Sequence, residues 1–140
     1  KGTAELRWTK TGPVNYPEKQ KVYLEGNKRK FIGGQWKDKT IIFKTREFGT
    51  YLTLYDFDPP TITPRTVNAN DLRFTISDKL SGIQKIECYV NGEWVLMDYE
   101  YKTGAIWARK HDADQSFSGN LVLKVTDFCN NTQSYETVIP

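Results

Sequence analysis

An all-β fold is what this chain predicts: an immunoglobulin-like antiparallel β-sandwich preceded by a smaller β unit. Three observations predict it. Helical periodicity is nearly absent, and short alternating runs rich in β-branched and aromatic residues stand in its place. Two of these runs, "FTISDKLSGI" at 74–83 and "VLKVTDFCNNT" at 122–132, end alike, in an aspartate followed by a tight polar turn. Asn91-Gly92, between two apolar-alternating runs, is the strongest hairpin signal in the chain, because both residues tolerate the positive φ of a type I′ turn.

In chain order, strands are expected at 4–9, 21–25, 40–45 and 50–55, with turns at "EGNKRK" (25–30) and "GGQWKDK" (33–39) between them. A boundary follows at "DFDPPTITP" (56–64), where Pro59 and Pro60 cannot donate to a ladder and hold Asp58 extended. This divides the chain into a small unit, 1–58, with the look of the later part of a domain, and a sandwich, 59–140. The second unit is expected to hold seven strands, at 61–63, 72–77, 83–90, 93–98, 105–109, 121–126 and 134–139. The second and sixth of seven alternating strands run the same way. Asp78 and Asp127, at their ends, should therefore meet at one pole.

A length of 140 residues and an apolar content of 38% suffice for a compact core, although 60 to 80 residues alone would be marginally stable. No apolar run is long enough to span a bilayer, so membrane insertion is not expected. The chain begins at Lys1 with no signal peptide, and the expectation is a processed or excised piece of something longer. Net charge is only +3, which gives no case for nucleic acid as a partner. That charge is uneven: residues 1–60 carry 12 Lys and Arg against 7 Asp and Glu, and the remainder carries 8 against 10. Two cysteines make no disulfide framework; Cys88 should face a core, and Cys129 lies in a turn.

A zinc centre needs three or four His, Cys or carboxylate ligands, and His111 is the single histidine. His111, Asp112 and Asp114 in "RKHDAD" read as a solvated loop, and Asp98 with Glu100 as a surface face of a strand. No nucleophile elbow, phosphate loop or Cys–His pairing stands in the sequence, so the expectation is a non-enzyme without a cofactor. Asp78 and Asp127 are each expected to cap their own turn through backbone N–H groups. With Asn131 they are also the candidates for calcium, though six oxygens are not evident. Trp94 alternates with Leu96, and Val95 with Met97, so one pair must face outward. Trp94 and Trp107 are accordingly candidates for stacking on sugar rings, and Lys28, Arg29 and Lys30 for meeting an anionic polymer.

The phrases "FIGGQWKDKTIIFKTREFGTYLTLYDFDPPTITP" (31–64), "LRFTISDKLSGIQKIECYVNGEWVLMDYEYKTG" (72–104) and "LVLKVTDFCNN" (121–131) carry a resemblance. In their order and spacing the chain resembles the region that follows the catalytic domain in lysostaphin-type zinc metallopeptidases of Bacteroidetes-type bacteria. The resemblance implies an extracytoplasmic accessory or spacer region of a peptidoglycan-cleaving peptidase. Its partners would be the upstream peptidase domain and an envelope glycan or protein. That family's H-x-x-x-D and H-x-H zinc ligands are absent from this chain, so no catalytic residue carries over. Asn130 stands where the family's final turn has glycine. The alternative is a carbohydrate-binding module that recognises murein or surface glycan through exposed aromatics.

Overall fold

The structure is a computed structural model that describes residues 2–109 and 116–140. His111, Asp112 and Asp114 lie outside the described residues. The chain forms two compact units, the first made of Lys1–Phe57 with Phe128–Asn130 and the second of Asp58–Asp127 with Asn131–Pro140. The boundary at Phe57/Asp58 falls beside the prolines that mark it in the sequence. Nothing in the sequence assigns 128–130 to the first unit.

The first unit contains β1 (Ala4–Thr9), β2 (Gln20–Leu24), β3 (Lys30–Gly33), β4 (Gln35–Lys37), β5 (Thr40–Thr45) and β6 (Tyr51–Tyr55). They form two three-stranded antiparallel sheets, β1-β5-β4 and β3-β2-β6. The stretch 33–39 is not the single turn expected. It carries β4, and only Asp38 and Lys39 turn the chain, with Lys37 paired to Thr40 and Asp38 at φ 55°. Two glycines disguised that strand. Gly33 and Gly34, at φ 99° and 100°, let the chain leave one sheet for the other between β3 and β4. A Cβ on Gly34 would lie 2.9 Å from Ile41 Cγ1, so close passage over the core requires glycine.

Val22, Ile41 and Phe43 are the buried centre of this unit, with Ile32, Trp36 and Tyr51 packed around them. Tyr23, on the other face of β2, is fully buried against Phe31 at 5.5 Å between ring centroids. Phe31 in turn stacks on Phe128 at 5.2 Å, and Lys19 Nζ donates to the Cys129 carbonyl at 2.8 Å. These contacts make 128–130 part of the first unit.

The second unit holds β7 (Thr61–Val67), β8 (Asp71–Ser77), β9 (Ile83–Val90), β10 (Glu93–Val95), β11 (Asp98–Glu100), β12 (Ala105–Arg109), β13 (Gly119–Asp127) and β14 (Thr132–Ile139). The sheets are β11-β12-β8-β7 and β10-β9-β13-β14, all antiparallel. Taken in order, these are the A-B-E-D and C-F-G sheets of an immunoglobulin-like sandwich, with β10 added beside C. The core takes alternate residues from both sheets: Leu72, Phe74 and Ile76 from β8, Cys88 and Val90 from β9, Ile106 and Ala108 from β12, and Leu121, Leu123 and Val125 from β13. Period-two alternation in the sequence is therefore what fills this core. Pro64 is tolerated because β7 is an edge strand and bulges between Pro64 and Thr66.

The run 93–98 departs from expectation. It is not one strand but two, β10 and β11, which belong to different sheets. Among the described residues the unit thus has eight strands rather than seven, because the chain crosses the sandwich at Leu96–Met97. Asn91 and Gly92 do form the hairpin tip, with φ of 50° and 78° and Val90 paired to Glu93.

Candidate functional site

At the polar turns of the second unit, both aspartates bond the backbone they terminate. Asp78 Oδ2 accepts from the N–H of Gly82 at 2.9 Å and of Leu80 at 3.4 Å, and from Ser81 Oγ at 3.4 Å. Asp127 has no solvent exposure; its Oδ1 accepts from Asn131 N–H and its Oδ2 from Asn131 Nδ2, each at 2.9 Å. The Asp127 N–H donates back to the Asn131 carbonyl at 3.0 Å. Asn130 takes the left-handed conformation at φ 61°, which asparagine tolerates best after glycine. The two turns meet, with a carboxylate oxygen of Asp78 within 4.8 Å of one of Asp127. Of the calcium candidates, Asn131 faces Asp127 with its amide nitrogen, a donor that serves a cap rather than a cation.

A cleft of about 670 Å³ opens elsewhere in the same unit, beside the Asn91-Gly92 hairpin. Its construction begins with strand alternation on β10. Val95 and the following Met97 pack inward on the core, so Trp94 and Leu96 turn outward. Trp94 is 62% exposed and Leu96 59%, although both are large and apolar. Phe117, from the approach to β13, packs on the core and reaches the same cleft. Asn91, Glu93 and Arg109 supply its polar groups. Neither Glu93 nor Arg109 makes an ion pair among the described residues. The hairpin wall is fixed by an exchange with β13: Asn91 N–H donates to the Asn120 carbonyl at 2.7 Å, and Asn91 Oδ1 accepts from Asn120 N–H at 2.9 Å. An exposed indole beside one anionic, one cationic and one amide side chain can take a planar, hydroxylated ligand.

Trp107 is not in this cleft. It sits half-buried on β12, on the outward face between cross-strand Asp98 and Arg73, because Ile106 and Ala108 take the inward positions. Lys28, Arg29 and Lys30 lie at the β2–β3 end of the first unit, all exposed, with Arg29 3.5 Å from Glu25 and Lys30 2.5 Å from Glu47. Asp98 and Glu100 are exposed along β11, and Glu100 Oε1 accepts from Lys102 N–H. Sequence reasoning singled out Trp94 but not Phe117 or Arg109. These stand 23 and 15 residues further along the chain, and only the sheet order brings them beside it.

No protein-family model and no curated protein matches this sequence. Among solved structures, the chain is similar to an apo expansin of Clavibacter michiganensis, with a TM-score of 0.42 and 14% identity, over 98% of this chain and 91% of that one.

Proposed function

We propose that this chain is a non-catalytic accessory module that holds a saccharide of the cell envelope against the indole of Trp94. One observation carries the reading. Trp94 is 62% exposed on a strand that Val95 and Met97 anchor to the core. Its ring is therefore presented rigidly and already free of the core. The C–H face of a sugar buries apolar area against such a ring at little cost in side-chain entropy. Glu93, Asn91 and Arg109 then meet its hydroxyl or acidic substituents. The resemblance of the sequence phrases to lysostaphin-type metallopeptidases supports placing the module outside the cytoplasm, in a parent whose peptidase domain it helps to position. An upstream reading frame with H-x-x-x-D and H-x-H ligands is the outcome expected of that second reading.

Titration with purified murein fragments and surface glycans, read by tryptophan fluorescence and by retention on affinity gels, tests the binding. A shift with wild type that Trp94→Ala abolishes is expected, while Trp107→Phe keeps it. Absence of both shift and retention overturns the saccharide reading. Zinc-dependent release of peptides from murein sacculi by the chain alone would overturn the non-catalytic one.

A further inference from the structure

The first unit has a cationic tip that the cleft of the second does not use. Two loops form it, 25–29 between β2 and β3 and 46–50 between β5 and β6. They meet because β2 and β6 are paired: Leu24 lies opposite Tyr51, and Glu25 N–H donates to the Thr50 carbonyl at 2.9 Å. Across 25–30 and 46–49 stand four cations, Lys28, Arg29, Lys30 and Arg46, against Glu25 and Glu47. The two glutamates pair with Arg29 and Lys30. Among the described residues Lys28 makes no ion pair, and Arg46 Nε donates to the Thr3 hydroxyl, at 3.1 Å, with no ion pair of its own.

Phe48 projects from the middle of this charge with its side chain fully exposed, at 103%. The loop that carries it is tied down. Thr45 Oγ1 lies 2.7 Å from the Tyr51 hydroxyl and accepts from Glu47 N–H at 3.2 Å, and the same hydroxyl donates to the Glu47 carbonyl. The ring is thus held out by a bonded turn rather than left over from the core. A surface with phosphates above an apolar layer uses both the ring and the charges.

We propose that this tip is a peripheral contact for an anionic lipid surface, with the Phe48 ring entering the headgroup–acyl boundary and Lys28, Arg29, Lys30 and Arg46 facing the phosphates. The contact spans nothing, and no helix among the described residues is long and apolar enough to cross a membrane.

Co-sedimentation with vesicles tests it, using phosphatidylcholine alone and an equimolar mixture with phosphatidylglycerol. The chain is expected to sediment with the anionic vesicles only, and less so as salt rises. Phe48→Ala should weaken that binding roughly tenfold, as expected for one aromatic ring withdrawn from the interface. Lys28→Glu with Arg29→Glu should weaken it at least as much. Both sites are exposed, and unchanged near-ultraviolet circular dichroism would verify the folds. Failure to sediment with anionic vesicles, or equal binding to neutral ones, overturns the proposal. Anionic binding that Phe48→Ala leaves intact, together with heparin retention, would assign the tip to a soluble polyanion and overturn the lipid reading. Saccharide binding at Trp94 is read separately, and neither result bears on the other.

Discussion

Asp127 shows what one polar side chain can carry inside a β-sandwich. Its carboxylate has no exposure, and Asn131 presents two donors to it across a turn whose φ at Asn130 is positive. Hydrogen bonds to a charged group contribute about 1.5–3 kcal/mol each, and leaving the buried Asn131 donors unmet adds desolvation. Asp127→Ala should therefore destabilise the chain by about 2–4 kcal/mol in urea unfolding, and Asp78→Ala, at a half-buried turn, by about 1 kcal/mol. Equal effects of the two would show that burial does not set the cost. Cys88 makes a pH-dependent contribution. Burial pushes its thiol from 9.0 up to about 11. Between those values the unfolded chain has released a proton that the folded chain keeps. Stability is then fully present below about pH 9 and falls towards pH 11, by up to about 1.4 kcal/mol per pH unit. Unfolding measured across that range should show an excess slope in wild type that Cys88→Ala lacks.

Hairpins and crossings decide the elements. Asn91-Gly92 closes β9 on β10 because both residues accept positive φ, which the sequence states outright. The β11–β12 turn is more constrained. Gly104 has φ 75°, its N–H donates to the Glu100 carbonyl, and its own carbonyl accepts from Ile76 N–H at 2.8 Å. A Cβ there would lie 2.3 Å from the Ile76 carbonyl oxygen. Gly104→Ala should cost at least 3 kcal/mol, on the order of the largest effects of single substitutions, whereas Gly92→Ala, with open space around it, should cost about 1 kcal/mol. Thermal unfolding of the two variants side by side checks the ranking. The run 93–98 reads as one strand in sequence because alternation continues through Leu96 and Met97. The break is invisible there: Val95 and Met97 both pack on the core, yet the segments on either side of the crossing hydrogen-bond in different sheets.

At the scale of the molecule, the two units differ in how much core they own. Among the described residues the second buries eleven in one cluster drawn from five strands, β8, β9, β12, β13 and β14. The first centres on Val22, Ile41 and Phe43 and recruits half-buried aromatics around them. A unit of about 60 residues has little stability to spare. Phe43→Ala, at about 3–5 kcal/mol, should abolish amide protection in β2 and β5 while leaving that of β8 and β13. Hydrogen exchange resolved by residue is the measurement, and retained protection in β2 and β5 would refute the estimate.

The sequence alone determined the all-β class, the position of the boundary near Pro59 and Pro60, the Asn91-Gly92 hairpin and the aspartate-ended turns. Each of these rests on local chemistry: alternation, ring-fixed φ, tolerance of left-handed backbone, and a short acceptor beside its own N–H groups. Tertiary structure alone decided which of two alternating faces turned outward on β10, and so made Trp94 rather than Met97 available. It also carried Phe128–Asn130 to the first unit and set Phe117 and Arg109 beside Trp94. A period-two pattern names two faces but not which one a core will claim. That choice depends on the apolar area offered by strands far away in the chain, which no local run of residues records.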